Sequence, residues 1–261
     1  MGAVDISPGS LLVVFLLLTV PLFLSYAYSL KIARSLFYSV SRMCVQLVLI
    51  GFFLKFLFLR NNAFFNLLWL VIMVLVAVYS ALSNFSMRAS KVLLPAFISF
   101  FLATFSVVLF VNVFVIKIVY VFDARYLIIL GGMLLGNSLR GNIIGISHFY
   151  QTIRKDRKRF LYVLSLGASL KEATLPYLRQ SLSLALKPTL AAMATMGIVA
   201  LPGMMTGVIL GGASPQVAIK YQIMIMIAIV TSTMLSVFLT IVMTRRSCFT
   251  KYGILKSDIF I

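Results

Sequence analysis

Seven predominantly apolar runs alternate with short polar segments: Leu11–Leu30, Met43–Leu59, Ala63–Leu82, Leu93–Val115, Tyr126–Phe149, Leu190–Gly212 and Tyr221–Met243. A run of about 20 such residues, rising about 1.5 Å per residue as a helix, matches the ~30 Å hydrocarbon core of a bilayer. The pattern therefore predicts an all-α, polytopic membrane protein with about seven transmembrane helices. The first run follows Asp5, Pro8 and Gly9 with no basic segment and no small-residue cleavage site, so it reads as a retained helix.

The polar segments carry their own patterns. In "LKIARSLFYSVSR", Lys31, Arg34, Tyr38 and Arg42 share one helical face and Ile32, Leu36, Phe37 and Val40 the other. Such a segment either lies flat at the inner interface or continues a tilted span. The stretch 151–188 is the longest polar one. Arg154 to Arg159 prolong the fifth span into water, Gly167 breaks that helix, and Ser169 with Glu172 forms the S-x-x-E capping box that starts another. Pro176 is expected to stop or kink the new helix before the sixth span.

Composition agrees with the pattern: 62% of residues are hydrophobic, 11% are charged, and the mean hydropathy is +1.10. Too little polar surface remains for a water-soluble globule. The net charge of +18 is a matter of sidedness. With the amino terminus outside, inner segments carry seventeen Lys and Arg and outer ends five, leaving Arg140 alone inside a span. That asymmetry sets the N-out, C-in orientation. It also removes the need for a nucleic-acid partner, because anionic lipid at the inner face attracts such cations.

The candidate chemistry is sparse. Asp5, Asp123, Asp156, Glu172 and Asp258 all fall in termini or loops, so no carboxylate stands in a span to bind a coupling proton or sodium. His148 is the only histidine, and Cys44 and Cys248 lie near the inner face as thiols, so no resident metal site can be assigned. No Ser/His/Asp set gathers in the membrane and no G-x-x-x-x-G-K-[ST] loop occurs, which argues against a hydrolase and against direct ATP binding. Small-x-x-x-small steps at Gly132, Gly136 and Asn137, at Gly141 and Gly145, and at Gly203, Gly207 and Gly211 predict close helix approach. Pro202 and Gly203 interrupt the sixth run, surrounded by Met193, Met196, Met204, Met205, Met224 and Met226. Asn137, Arg140, Pro202, Gly203, Met204 and Met205 are the candidate translocation path, although thioethers in a membrane also serve as plain packing.

"LGASLKEA" at 166–173 resembles the coupling loop of ABC transporter permeases, and "LPGMMTGVILGGASPQVAIKYQIM" at 201–224 resembles the signature of FetB-type iron-export permeases and their plant aluminium-tolerance relatives. "QLVLIGFFLKFLF" (46–58) and "GGMLLGN" (131–137) follow in order. The resemblance implies one permease domain over residues 1–261, with a cytoplasmic coupling loop at about 151–188 whose contact residues are Leu166, Gly167, Ala168, Ser169 and Glu172. It also implies a multi-pass inner (plasma) membrane location, a permease homodimer, and a separate FetA-like ATP-binding subunit that holds the ATP. Two features depart from the family pattern: Ala191 and Ala194 replace an Asp and a Lys before L-P-G-M-M, and Arg140 stands where relatives are mostly apolar. Rival readings are an ion-coupled carrier with backbone carbonyl ligands and a membrane scaffold that transports nothing.

Overall fold

The computed structural model describes residues 6–83, 89–250 and 252–256. Asp5, Arg88, Lys251 and Asp258 lie outside the described residues, as does the side chain of Lys91. The helices are α1 (Pro8–Val14), α2 (Thr19–Ala27), α3 (Ala33–Arg60), α4 (Ala63–Ser83), α5 (Ala89–Phe110), α6 (Ala124–Lys155), α7 (Arg157–Ser165), α8 (Leu170–Thr195), α9 (Gly203–Leu210) and α10 (Pro215–Cys248). Six segments among the described residues are long and apolar enough to cross a membrane: Gly9–Ala27, α3, α4, Val92–Ile116, α6 and α10. The protein is a multi-pass, all-α membrane protein.

The seventh crossing follows from the direction of α6 and α10. Ser138 pairs with Ser232, Asn142 with Ser236 and Tyr150 with Thr244, each partner 94 positions further along. A constant offset means that the two helices run the same way. The chain must therefore recross between Lys155 and Pro215, and α8, with 26 residues, is the helix that reaches, at about 39 Å.

This moves the crossing expected at Leu190–Gly212. That run is not one helix: it holds the end of α8, a turn at 196–202 and the short α9. Gly197 adopts φ +85° and Pro202 caps α9, so the backbone turns where an apolar run alone reads as continuous. Pro176 does not stop α8 either. Pro176 and Pro188 both lie on exposed sides of the helix, so each removes a hydrogen bond without driving its ring into a packed neighbour. Lys187, counted with the inner loop from the sequence, consequently lies within the crossing.

One open alternative is decided and one smaller expectation changes. The "LKIARSLFYSVSR" segment continues into the span, because α3 is unbroken from Ala33 to Arg60 after left-handed residues at Ser29 and Lys31. The cation run at 154–159 does not simply prolong α6: Asp156 ends α6 and α7 starts at Arg157.

The packed body is built by α4, α5, α6, α8 and α10, while α1, α2 and most of α3 keep their apolar surface exposed. α3 joins the body at its outer end, where Leu57 is buried and the Phe53 ring lies 4.0 Å from that of Trp69. A polar clasp fixes this end. Asn61, left-handed at φ 36°, donates to the Asp123 carboxylate (2.9 Å) and accepts from the Asn66 side chain (3.1 Å) and the Ala124 amide (2.9 Å). Asp123 in turn caps α6 through the Arg125 amide at 2.8 Å. One asparagine thereby ties the α3–α4 turn to the start of α6. Asn61→Ala should lower stability by roughly 1–3 kcal/mol, through lost buried hydrogen bonds and a left-handed backbone that alanine tolerates less well. Thermal unfolding in detergent micelles measures it.

Candidate functional site

The seam between α6, α8 and α10 decides where the inner groups stand. Gly141 and Gly145 let the helices meet: a Cβ on Gly145 would sit 2.7 Å from Val237 Cγ1 and 3.3 Å from Ala185 Cβ, and one on Gly141 would press on Thr233 Cγ2. With the backbones this close, small polar side chains pair across the seam. Asn142 donates to Ser236 Oγ at 2.7 Å, and Tyr150 OH to Thr244 Oγ1 at 2.7 Å. His148 Nδ1 lies 3.2 Å from Ser181 Oγ on α8, and its Nε2 lies 3.4 Å from Thr152 Oγ1. The lone histidine thus joins α6 to α8. Of the other predicted small-residue steps, a Cβ added at Gly132 would meet Met73 Cε at 3.1 Å, whereas one at Gly136, Gly203 or Gly207 would find nothing within 4 Å.

Of the loop expected at 151–188, only 166–169 is a turn, standing between α7 and α8. Gly167 takes φ +91° and ends α7, a conformation that L side chains rarely adopt. The capping box forms as expected: Ser169 Oγ accepts from the Glu172 amide (3.3 Å), while the Ser169 amide (2.8 Å) and hydroxyl (2.7 Å) donate to Glu172 Oε2. The chain end braces this turn from below. Phe249 is buried, with its ring 6.0 Å from Phe160 and 6.3 Å from Tyr150, and the turn at Gly253 brings its Cα side against Leu164 and Leu170. Arg245 Nη1 donates to Thr174 Oγ1 at 2.9 Å and ties α10 to the first turns of α8. Two large apolar side chains stand outward among the exposed polar residues Ser165, Ser169, Lys171 and Glu172. Leu166 is 70% exposed and Tyr162, one turn earlier, 64%.

The capping box has a pH signature. The Ser169 hydroxyl and amide stabilise the charged carboxylate, so they hold Glu172 below its ordinary value. A depressed value in the folded turn means that the stabilisation is complete above the ordinary carboxylate range and is lost as pH falls through the folded value. Protection of the amides at 170–174, taken relative to the intrinsic exchange rate at each pH, should therefore fall on acidification in the wild type and respond much less in Glu172→Ala.

Midway across the membrane lies a cavity of about 130 Å³ between α6, α8 and α10. Asn137, Arg140 and Ile144 line it from α6, Ala185, Pro188, Thr189 and Ala192 from α8, and Met226 from α10. Asn137 spends its amide on the Met133 carbonyl (2.9 Å), and Arg140 is exposed at the open side of α6. The structure thus brings Asn137 and Arg140 together but leaves Pro202, Gly203, Met204 and Met205 elsewhere, beyond the turn at 196–202. Met204, Met224 and Met226 pack against the apolar core, and Met196 Sδ accepts from Gln222 Nε2 at 3.5 Å. Thr189 and Pro188 emerge as wall residues only in the structure, because the sequence has Pro176 stop or kink the helix and starts the sixth span at Leu190. Among the described residues, no three His, Cys, Asp or Glu side chains gather to hold a metal ion.

Comparison with known proteins bears on the whole chain. No solved structure matches it. It is 34% identical over 257 residues to the Protein ALUMINUM SENSITIVE 3 of Arabidopsis thaliana, covering 98% of this chain and 91% of that one. It is 32% identical over 247 residues to the Probable iron export permease protein FetB of Escherichia coli, covering 94% and 93%. The model of the family described as Uncharacterised protein family (UPF0014) matches residues 8–249, and the chain belongs to that family.

Proposed function

We propose that this chain is the membrane permease subunit of an ABC transporter, working as a homodimer in the inner (plasma) membrane and driven by a separate, FetA-like ATP-binding subunit. The cargo leaves the cell, and the similarity to an iron export permease supports a metal ion or a related small substrate. The observation that carries the reading is the turn at 166–172: capped, braced by the chain end, on the cation-rich side of the membrane, and presenting exposed Leu166. A turn held on three sides transmits a push to α8, and α8 forms one wall of the mid-membrane cavity. Closure of an ATPase dimer on two such turns would reorient the spans around that cavity. This chain contributes no phosphate-binding loop and hydrolyses no ATP itself.

Gly136 and Arg140 support the homodimer. They are exposed on one face of α6, and an arginine left against hydrocarbon costs at least about 2.5 kcal/mol. A second copy shields that face. Gly136→Cys should accordingly give a disulfide-linked dimer under mild oxidation in the membrane, and linkage no greater than at the lipid-facing control Leu59→Cys would refute the arrangement.

The test of function is co-reconstitution with the cognate ATPase in proteoliposomes. Flux should require both subunits and ATP. Flux that follows a proton or sodium gradient without the ATPase would establish the ion-coupled carrier instead.

A further inference from the structure

The charged groups at mid-membrane have one sign. Arg140 stands near the middle of α6, on the wall of the cavity with Asn137 and Thr189. Lys187 stands at a similar depth on α8, because its neighbour Ala185 is level with Gly141 and Gly145. Its side chain is exposed and turned about 200° around the helix from Ala185. Neither cation takes a hydrogen bond or ion pair within the described chain, and neither belongs with the inner anchors, which lie at the ends of the helices.

Among the described residues, no carboxylate answers them. Asp123 is committed to the outer clasp, Asp156 ends α6 at the inner side, and Glu172 is bound in the capping box. The remaining polar groups at the cavity, Asn137 and Thr189, are neutral. A free divalent cation entering this space meets repulsion in a low-dielectric setting and no anionic ligand to replace its water. An oxyanion meets the reverse: a guanidinium able to bind two oxygens at once, with hydroxyl and amide groups beside it. The geometry points to a cargo that passes mid-membrane as an anion, either an organic or inorganic oxyanion or a metal ion held inside an anionic oxygen complex. The inference rests on the permease reading and narrows its substrate class: if metal moves through this chain, it moves with its ligands and with net negative charge.

The test is equilibrium binding to the permease in nanodiscs of zwitterionic lipid, with no ATPase present. The probes are labelled citrate, its ferric complex and free Mn²⁺. Citrate, the ferric complex or both should bind while Mn²⁺ does not, and which of the two binds separates a bare oxyanion from a metal complex. Arg140→Gln should weaken binding about tenfold or more, since a charge-assisted contact is lost. Arg140→Lys, keeping the charge, should recover part of it. The double variant Arg157→Gln/Lys158→Gln removes cations outside the membrane and should leave binding unchanged. Gel filtration of each variant checks that the oligomer persists.

Mn²⁺ binding at least as tight as citrate, anion binding unchanged in Arg140→Gln, or no anion binding by the wild type would each overturn the inference. The permease reading fails separately, by absence of ATP-driven flux in co-reconstituted vesicles. Flux of free Mn²⁺ unimpaired by Arg140→Gln would leave that reading standing and remove this one.

Discussion

Gly145→Leu is expected to leave almost no folded protein in the membrane. Even a methyl group at this position would meet Val237 Cγ1 at 2.7 Å, Ala185 Cβ at 3.3 Å and the Ser181 carbonyl at 3.5 Å. Valine is branched at Cβ and has one easy rotamer in a helix, so it cannot swing aside; Ser181 O is backbone and cannot move alone. Gly145→Ala should therefore cost about 1–3 kcal/mol by overpacking, and leucine more, because it must separate α6 from both α8 and α10. Separation also breaks the Asn142–Ser236 and Tyr150–Thr244 bonds, leaving buried polar groups unpaired in a medium without water. The check is fluorescence-detected gel filtration with a thermal ramp. Val237→Ala should restore much of the loss in the Gly145→Ala background while costing stability alone, since the two residues share one contact. If Gly145→Leu melts with the wild type, α6 and α10 do not pack as described.

Apolar length made most of the fold legible in the sequence, and it failed where backbone geometry overruled hydrophobicity. The spans at Ala63–Leu82 and Tyr126–Phe149 could be read because each run is long and ends at polar residues that really do leave the membrane. The sixth could not. α8 carries Lys171, Glu172, Arg179 and Lys187 with two prolines, so it resembles a loop, yet its packed face of Ala173, Tyr177, Leu178, Ser181 and Ala185 holds it against α6 and α10. Meanwhile 196–202 looked continuous because nothing in an apolar pattern marks a left-handed glycine. The capping box was legible, being local: Ser169 and Glu172 need only each other. The glycine steps were partly so. Spacing identified Gly141 and Gly145, but only the three-dimensional arrangement separates them from Gly136, which has the same spacing and where an added Cβ would meet nothing among the described residues. Arg140 stood out as a lone charge, whereas its company in the cavity required the true position of α8.

Replacing Leu166 with aspartate should abolish ATP-driven transport while leaving the permease folded. Leu166 is 70% exposed at the end of α7, so the fold gains little from its side chain, and a carboxylate there costs the isolated subunit almost nothing. Against an ATPase the balance reverses. An exposed leucine beside a braced turn is the group that an apolar socket would take up, and a buried, unpaired charge in that socket costs several kcal/mol. Gly167→Leu tests the same contact less cleanly, because its φ of +91° strains any L side chain and the variant would deform the turn even without a partner. Glu172→Ala should act more mildly, removing one half of the capping box and loosening the turn without adding an obstacle. Neutralising Arg157 and Lys158, which are exposed on the first turn of α7, should matter least. Co-purification of a tagged permease with its ATPase, followed by flux at saturating ATP, orders the four. Full binding and flux in Leu166→Asp, with both lost on neutralising Arg157 and Lys158, would mean that the loop holds its partner by charge and that α8 is not pushed through this turn.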